Sequence, residues 1–300
     1  MPNVLVIGSV NMDVVAPYDR MPQPGESLPI PDVRLIPGGK GANAAVAAAR
    51  LGAKTKFVGC VGNDPFAAAL REGLESNGVD CEHLSVSNRG SGTALILLNQ
   101  TNAQNSILVG LGANQDLRLP DTDELFAWAD ILLLQLETPL ATNAEAIQRA
   151  RAAGVTVLLD SAPAPSELPA ELLNGPDIIS PNETELAILS RHPVDSVEDA
   201  IGAAKVLIER GARQLVIKLG EKGSLWVAEG THQYFPGLQI DPVDTTAAGD
   251  AFTAALGVSL AQGLTMNEAI ARANAAGALA CTKLGAQPSL PRRIELESML

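Results

Sequence analysis

Cysteine is scarce in this chain of 300 residues. Its three cysteines are Cys60, Cys81 and Cys281, and no pair of them has the spacing C-x-x-C. An odd number of scattered cysteines indicates neither a disulfide framework nor a zinc site. This usage suits a reducing compartment, so we expect a cytoplasmic protein.

The chain also lacks a basic N-terminal region and any apolar run long enough to cross a membrane, so we expect no cleaved signal and no membrane partner. Positive charge is in deficit, because 21 lysines and arginines face 34 aspartates and glutamates, for a net charge of −13. Such a surface repels nucleic acid and anionic lipid. An anionic ligand would need local compensation from helix N-termini, a bound cation or placed lysines.

Two common nucleotide motifs are absent. The chain contains no G-x-x-x-x-G-K-[ST] loop, and no G-x-G-x-x-G follows the first apolar run at 4–7. These absences exclude a P-loop enzyme and argue against a dinucleotide-dependent oxidoreductase. A nucleotide bound by this chain would have to use another kind of site.

What the chain does contain is an alternation of short apolar runs with segments rich in alanine and leucine, and 46% of its residues are hydrophobic. The alternation predicts an α/β fold with a mostly parallel central sheet and helices on both faces. No repeat or linker divides it, so we expect one domain over residues 1–300. The predicted strands are 4–10, 56–61, 131–136, 155–160, 178–180 and 215–219. The predicted helices are 42–51, 65–76, 139–153, 183–189, 197–209, 249–262 and 266–283.

Two stretches interrupt the alternation. Residues 13–37 are rich in proline, and residues 91–110 are typical of a hairpin turning around 100–104. We expect both to form one small sheet. Residues 94–98 are apolar on both strand faces, so something must cover the second face. We predict a lid with substrate on one side and a second copy of the chain on the other; an ordinary strand of the main sheet is the alternative.

The sequence D-T-T-A-A-G-D at 244–250 combines small residues with the start of a helix. Ala247, Ala248 and Gly249 would let the backbone approach a ligand, and the free N–H groups of a helix start form an anion site. Asp250 lies beside those donors, where the helix dipole would keep it ionised and able to accept a proton. The alternative is an acid that only stabilises the helix.

A second motif, G-G-K-G-A-N at 38–43, lies where the proline-rich stretch meets the first helix. Its glycines allow close backbone approach, while a lysine and a carboxamide suit a polyhydroxy compound, whose hydroxyl groups need both donors and acceptors. Taken alone, the motif could also be a flexible helix start.

Seven short motifs occur in the order in which the PfkB-type carbohydrate kinases carry them. They are N-M-D at 11–13, G-G-K-G-A-N at 38–43, Q-L-E-T-P at 135–139, P-N-E-T-E at 181–185, K-L-G-E-K-G at 218–223, D-T-T-A-A-G-D at 244–250 and G-A-Q-P-S at 285–289. The chain resembles this family nearly end to end, and its ribokinase branch in particular. The resemblance implies a central α/β sheet with a small β lid that closes on the sugar and often pairs subunits into a homodimer.

The resemblance further implies ATP-dependent phosphorylation of D-ribose at its 5-hydroxyl group. Asp250 would be the catalytic base, and Ala247, Ala248 and Gly249 would form the anion hole. Alternatives are another sugar or nucleoside, such as 2-deoxyribose, fructose or adenosine, and a non-catalytic regulator, against which the presence of Asp250 argues. The residues that match sugar-binding positions are Asn11, Asp13, Gly39, Lys40, Gly41, Asn43, Glu137 and Asp250.

Without the resemblance, Asn11 and Asp13 could be turn formers and Glu137 a helix N-terminal acid. For the nucleotide, the resemblance implies that Asn182 and Glu185 organise phosphate, water and the Mg²⁺ that accompanies ATP. Asn182 is equally a good helix N-cap. The residues that match nucleotide-binding positions are Asn182, Glu185, Lys218, Gly220, Glu221, Gly223, Gly249 and Asn274.

The chain varies from the resemblance at Lys218, a position where ribokinases can carry a small hydroxyl residue. Finally, the resemblance implies a site for a monovalent cation, K⁺, formed mostly by carbonyl oxygens. The residues that match it are Asp244, Thr246, Ala280, Lys283, Gly285 and Ser289.

Overall fold

A computed structural model of the chain describes residues 1–100 and 105–300, which form two β-sheets and a series of helices. The strands are Asn3–Ile7 (β1), Asn11–Tyr18 (β2), Arg34–Gly38 (β3), Lys54–Gly62 (β4), Val79–Ser87 (β5), Gly92–Asn99 (β6), Asn105–Gly110 (β7), Ile131–Leu134 (β8), Thr156–Asp160 (β9), Ile178–Ser180 (β10), Gln214–Lys218 (β11), Gly223–Ala228 (β12) and Thr231–Pro236 (β13). The α-helices are Lys40–Arg50 (α1), Phe66–Glu75 (α2), Glu124–Trp128 (α3), Leu140–Ala152 (α4), Ala170–Asn174 (α5), Glu183–Ser190 (α6), Val197–Glu209 (α7), Ala248–Ala261 (α8), Met266–Cys281 (α9), Ala286–Ser289 (α10) and Arg293–Met299 (α11).

The main sheet has nine strands in the order β13-β12-β11-β10-β9-β8-β1-β4-β5. Pairing is parallel from β11 to β5, and only β12 and β13 run antiparallel to their neighbours. The predicted α/β fold with a mostly parallel sheet is confirmed. The central strand β1 explains why: four of its five residues are fully buried, which requires helices on both faces.

Successive residues of β1 supply two separate cores. Val4 and Val6 pack with α1, α8 and α9 on one face of the sheet, whereas Leu5 and Ile7 pack with α4 to α7 on the other. Side chains alternate across a strand, so one continuous apolar run can serve both faces. Helix α8, which contains Asp250, lies on the first of these faces.

The predicted strand 4–10 is too long, because β1 ends at Ile7 and the chain then turns into the second sheet. A Cβ atom at Gly8 would stand 2.0 Å from Oε1 of Gln135 and 2.8 Å from Cα of Gly41. The apolar pattern of the sequence cannot show that α1 and the loop after β8 approach the chain so closely at Gly8. The turn brings β2 and α1 to the carboxyl end of the main sheet.

Several edge elements were absent from the sequence-based prediction. Strand β5 alternates polar and apolar residues at one edge, and the β12–β13 hairpin turns at Gly230, whose φ is 71°, at the other. Strand β13 is largely exposed and contains no apolar run. The short helices α3, α5, α10 and α11 were missed because four to seven residues are too few to show a helical period.

The second sheet has four strands in the order β3-β2-β6-β7, so the lid stretches do form a small sheet of their own. The alternative, in which residues 94–98 belong to the main sheet, is wrong. The predicted turn at 100–104 lies, from residue 101 to 104, outside the described residues. On the inner face, Val15, Ala94 and Ile96 form a small buried cluster.

The outer face of this small sheet carries an apolar row, defined by the four residues Val14, Leu35, Leu95 and Leu108, one from each strand in register. Leu35, Leu95 and Leu108 are 55%, 37% and 65% exposed. The two-sided apolar pattern of β6 therefore corresponds to one covered face and one open face in the single chain.

The helices of this chain start in different ways. Helices α6, α7 and α9 begin with capping boxes headed by Asn182, Ser196 and Thr265. Helices α1 and α8 begin at Gly39 and Ala247, which have no polar side chain to cap a helix. Within residues 1–100 and 105–300, no helix is both long and apolar enough to span a membrane.

Candidate active site

Buried polar side chains meet where the carboxyl end of the main sheet faces the small sheet. Asn11 and Asp13 lie on β2, Asn43 lies on α1, Glu137 follows β8, and Asp250 lies in the first turn of α8. All five are buried. Polar groups gathered at this depth need partners, and a ligand rich in hydroxyl groups could supply both donors and acceptors.

The glycines of the 38–43 motif allow α1 to start against the turn that follows β1. Gly39 has a φ of 90°, in the left-handed region, and a Cβ atom there would stand 2.7 Å from the Asn11 nitrogen. A Cβ atom at Gly41 would stand 2.6 Å from the Ser9 nitrogen. The Ala42 nitrogen donates to the Ser9 carbonyl oxygen at 2.8 Å. Only glycine fits positions 39 and 41.

Asp250 is held by a side chain of α1 and lies among other charged groups. The Asn43 side-chain amide donates a 2.8 Å hydrogen bond to its Oδ2 atom. Burial raises the pKa of Asp250, the positive charge of Lys40 opposes that rise, and Asp160 and Glu137 add to it. The sequence-based expectation named the helix dipole as the controlling influence, whereas burial is the larger one. A carboxylate with a raised pKa is better suited to accept a proton.

Lys40 is the cation of this cluster. Burial lowers the pKa of Lys40, but attraction by Asp250, Asp160, Glu137 and Glu185 outweighs burial, and the net effect raises that pKa above its usual value. The lysine therefore stays charged. It compensates part of the negative charge that the buried carboxylates gather here.

Asp13 is an acid whose pKa lies far from its usual value. Burial, followed by repulsion from Glu137 and Asp250, raises its pKa to about 7. Gly38 lies against it, because a Cβ atom at Gly38 would stand 2.2 Å from Asp13 Oδ2. Perturbed acids of this kind gather at functional sites.

Two positioning residues were missed by sequence reasoning. Ser9 donates from Oγ to Glu137 Oε2 at 2.5 Å. Asn114 donates from Nδ2 to Asn11 Oδ1 at 2.7 Å and accepts at Oδ1 from the Val10 nitrogen at 3.0 Å. Neither residue belongs to one of the motifs or to a periodic apolar pattern. Asn114 is also 103 residues from its partner Asn11 in the sequence.

The predicted anion hole lies at the start of α8. Ala247 has a φ of 62°, a left-handed conformation that is uncommon and strained for a residue with a Cβ atom. Strained turns persist where the surroundings enforce them, often at ligand sites. Ala247, Ala248 and Gly249 line the same cleft as Asp250, and the Ala248 nitrogen donates to the Thr245 carbonyl oxygen at 3.2 Å.

A cleft of about 1070 Å³ lies between α6, α8, α9 and the loop after β11. Lys40, Asp250 and all eight predicted nucleotide residues line it, so the structure brings together sets that are far apart in sequence. The predicted residues on its walls are Asn182, Glu185, Lys218, Gly220, Glu221, Gly223, Gly249 and Asn274. The structure therefore gives these residues one common space.

Oxygen donors on this wall suit a Mg²⁺ ion bound together with phosphate. Glu185 accepts from the side-chain and backbone nitrogens of Asn182 at 2.8 and 3.0 Å. Burial raises the pKa of Glu185, Lys218 opposes that rise, and Asp160 adds to it. In the part of the chain that the structure describes, no three acids, histidines or cysteines cluster as a metal cage. Mg²⁺ typically needs only one or two carboxylates plus substrate phosphates.

Lys218 and Asp160 form a buried ion pair in the same cleft, with Nζ 2.7 Å from Oδ2. Thr253 donates to the same oxygen at 2.8 Å. The prediction named Lys218 but not Asp160 or Thr253. The carboxyl end of β9 was the only signal that could have pointed to Asp160, and Thr253 follows Asp250 by less than one turn of α8.

Only three of the six residues predicted to form the cation site lie together. Asp244 accepts at Oδ1 from the nitrogen and hydroxyl of Thr246, at 3.0 and 2.6 Å, and at Oδ2 from the Gly285 nitrogen at 2.8 Å. These three line a smaller cleft of about 510 Å³ next to the inner face of the small sheet. Lys283 instead pairs with Glu295 through its side chain.

The other two predicted cation residues do not line that cleft. Ser289 is buried and donates to the Ala286 carbonyl oxygen at 2.8 Å, and Ala280 is buried within α9. The smaller cleft is also lined by Asp13, so it adjoins the sugar-binding residues.

Comparison with known proteins agrees with this geometry. Residues 1–293 match the model of the pfkB family of carbohydrate kinases. A ribokinase of Haemophilus influenzae is 40% identical over 97% of this chain and 95% of its own length. A deoxyribokinase of Salmonella typhi is 37% identical over 96% of this chain and 95% of its own length.

A solved structure of Arabidopsis thaliana ribokinase complexed with ribose and ATP matches with a TM-score of 0.93 and 36% identity, covering 99% of this chain and 98% of that one. A ribokinase structure from Thermotoga maritima matches with a TM-score of 0.90 and 36% identity, covering 100% of this chain and 99% of that one. The sequence match and the fold match both extend over nearly the whole chain. The chain therefore belongs to the pfkB family of carbohydrate kinases.

Proposed function

We propose that this protein transfers the γ-phosphoryl group of ATP to the 5-hydroxyl group of D-ribose, giving D-ribose 5-phosphate and ADP. The observation that carries the proposal is the position of Asp250. It lies at the uncapped start of α8, on the wall of the larger cleft, and bonds to Asn43 in the group of buried polar residues. Full-length similarity to ribokinases supports the choice of substrate.

In this reaction the 5-hydroxyl oxygen attacks the γ-phosphorus, and the bond from that phosphorus to the β–γ bridging oxygen breaks. The hydroxyl proton passes to Asp250, and ADP leaves with the bridging oxygen. The backbone N–H group of Gly249 would stabilise charge on the transferred group, and that of Ala248, which donates to the Thr245 carbonyl oxygen at 3.2 Å, would share its hydrogen with that group. Ala247 sets their direction. Because phosphoryl transfer depends on positioning and electrostatics, these fixed donors lower the barrier without covalent chemistry.

Asn11, Asp13, Asn43 and Glu137 would hold the sugar hydroxyl groups, with Lys40 supplying positive charge. Glu185, together with Asn182, would hold the Mg²⁺ that accompanies ATP. Mg²⁺ bound there would neutralise part of the charge of the phosphates. Positive charge from Lys40 and Mg²⁺ fits the net charge of −13, because a protein with this excess of acids can bind phosphate only next to local cations.

We also infer a monovalent-cation site around the loop 244–246, to which Gly285 is tied through Asp244. K⁺ there would order the loop that leads into Ala247. The effect would be conformational, since a ligand shifts an equilibrium only by binding one state better. Equal turnover in K⁺, Na⁺ and tetramethylammonium buffers would argue against the site.

The outer apolar row of the small sheet supports a homodimer, because single soluble chains rarely expose contiguous apolar surface without a partner. Residues 13–37 and 91–110 would then act as a lid that closes on the sugar and pairs two copies. We infer one domain over residues 1–300, located in the cytoplasm.

The second candidate substrate is 2-deoxyribose, which the similarity to a deoxyribokinase favours. A site that binds each hydroxyl group of ribose rejects an analogue lacking one, because its buried polar partners are left unpaired. We therefore expect ribose to have the higher kcat/KM.

The test measures ADP release from ATP with Mg²⁺ and K⁺, using ribose, 2-deoxyribose, fructose, adenosine or no sugar. Asp250→Ala serves as the inactive control. Ribose turnover lost in the variant supports the proposal. Turnover confined to another compound would keep the mechanism and change the substrate. Folded protein that binds ATP but turns over none of them would favour a regulator.

A further inference from the structure

Asp160 is a buried acid at the end of β9, and its Oδ2 atom contacts two side chains next to the phosphoryl-transfer site. Its Oδ1 atom accepts from the Ala162 nitrogen at 3.2 Å. Its Oδ2 atom accepts from Lys218 Nζ at 2.7 Å and from Thr253 Oγ1 at 2.8 Å. Three elements, β9, β11 and α8, are thereby joined at one carboxylate.

The Lys218 ammonium group lies beside the anion hole. A methyl group added at Gly249 would stand 3.7 Å from Lys218 Nζ, in ordinary van der Waals contact. Only 13% of the Lys218 side chain and 3% of the Asp160 side chain are exposed. The charge is therefore fixed at one place rather than moving with a flexible lysine.

A gain in folding stability does not explain why Lys218 and Asp160 form a buried ion pair. Removing two charges from water offsets most of their attraction, so apolar replacements of buried pairs are often as stable. The position of the pair is the better reason. A lysine held in place before ATP arrives loses less side-chain entropy on binding, and fixed charges stabilise a transition state without reorganisation.

The electrostatic need is specific to this cleft. Glu183, Glu185, Glu221 and Asp250 all line it, whereas ATP brings further negative charge. Lys222 also lines it, but 45% of its side chain is exposed, compared with 13% for Lys218. Lys40 lines the cleft as well, and Lys218 adds a second buried cation, next to Gly249.

We propose that Lys218 contacts the transferred phosphoryl group and that Asp160, fixed by Thr253, is a positioning residue that acts through Lys218. This inference deepens the proposed function and depends on it for the identity of the phosphoryl donor. The role of Asp160 follows from the contacts of one carboxylate.

The experiment compares four variants, Asp160→Asn, Lys218→Met, the double variant and Thr253→Val, in two assays. Steady-state kinetics give kcat and the ribose KM. Equilibrium binding gives the affinities for ADP and for AMP-PNP, a non-hydrolysable ATP analogue, each with Mg²⁺. Thermal midpoints monitor folding. Thr142→Val is the matched control, since Thr142 also donates a buried hydrogen bond, to the Leu117 carbonyl oxygen, away from either cleft.

We expect Asp160→Asn and Lys218→Met each to lower kcat about 10- to 100-fold, with the ribose KM within about twofold. AMP-PNP binding should weaken by a similar factor while ADP binding changes little. The double variant should be no slower than Lys218→Met, because both changes remove one interaction. It should also be more stable than Lys218→Met, in which the buried Asp160 is left unpaired. Thr253→Val should lower kcat several-fold, and Thr142→Val should leave it unchanged.

Three results would overturn the inference: kcat of Asp160→Asn within about twofold of the natural protein, additive losses in the double variant, or equal weakening of ADP and AMP-PNP binding. The last result would place Lys218 on a phosphate that ADP retains. If the natural protein phosphorylates no sugar, the proposed function fails. The AMP-PNP to ADP affinity ratio still decides the role of Lys218 and Asp160 in that case.

Discussion

The side-chain amide of Asn43, in α1, donates a 2.8 Å hydrogen bond to Oδ2 of Asp250, in α8, across 207 residues of sequence. The bond joins two helices that start without a side-chain cap, and it holds the carboxylate that we assign as the base. The orientation of Asp250 is thus set by the glycine-rich motif as well as by its own helix.

Replacing Asp250 by asparagine should lower kcat by about 10²–10⁴-fold, since the general base is lost while the side-chain shape is kept. The ribose KM should change only a few-fold. Glu268→Gln is the control, because Glu268 is also an acid in the first turn of a helix, α9, and lies in a capping box. If Asp250 served only its helix, the two variants would retain similar activity in the ADP-release assay.

Gly249→Ala should separate activity from stability. The new methyl group would meet only Lys218, at 3.7 and 3.9 Å, so the fold accommodates it. We expect an unchanged or slightly higher free energy of unfolding, because alanine is favoured over glycine in a helix by about 1 kcal/mol. The methyl group would occupy the space of the transferred group, and kcat should fall about 10²-fold. A variant with normal kcat would show that the phosphoryl group binds elsewhere.

Gly41→Ala and Gly202→Ala make the same change in two helices, α1 and α7. A Cβ atom at Gly41 would stand 2.6 Å from the Ser9 nitrogen, whereas one at Gly202 would meet nothing within 4 Å. Gly202→Ala should raise the free energy of unfolding by about 0.5–1 kcal/mol. Gly41→Ala should lower it by about 1–3 kcal/mol through overpacking and should also weaken ribose binding. Denaturant unfolding of both variants tests the close approach of Gly41 to Ser9. Equal stabilisation of the two variants would refute it.

Ribose binding should depend on pH through Asp13. With a pKa of about 7, this acid is mostly protonated at pH 6 and mostly ionised at pH 8. If the sugar binds the ionised form, its affinity should be about tenfold higher at pH 8, because apparent affinity scales with the competent fraction. Calorimetric titration without ATP measures it. In Asp13→Asn the contribution of this group to the pH dependence should vanish, and a slope identical to that of the natural protein would contradict the assignment.

The same pKa has a consequence for stability. Because the folded-state pKa of Asp13 is raised above its unfolded value of 3.8, the native state binds more protons between about pH 4 and 7. Its contribution to the free energy of unfolding therefore falls as pH rises through that window and reaches its lowest value above it. Asp13→Asn should gain stability relative to the natural protein at pH 8 but not at pH 4, as denaturant titration would show.

The outer apolar row predicts dimerisation through the small sheet. Light scattering at micromolar concentration should give twice the monomer mass for the natural protein and the monomer mass for Leu108→Glu. Val86→Glu is the control, since Val86 on β5 is 63% exposed and Leu108 is 65% exposed. A monomeric natural protein, or equal effects of the two substitutions, would exclude this interface.

The sequence alone determined the fold class and the general location of the site. The buried run of β1 needs cover on two faces, and the alternation of β8, α4 and β9 specifies parallel pairing, because both features are local patterns with strong periods. The motifs at 38–43 and 244–250 marked two close-approach turns, since glycine and alanine at a helix start leave room for the backbone to come close to another group.

Only the tertiary structure decided which distant residues meet. The contacts of Asp160 with Lys218 and Thr253, and of Asn114 with Asn11, join residues 58, 93 and 103 positions apart. No local pattern encodes such pairings, because they depend on which strand ends lie side by side in the sheet. The same reason applies to the pKa of Asp13, which is set by burial and by the charges that folding brings next to it.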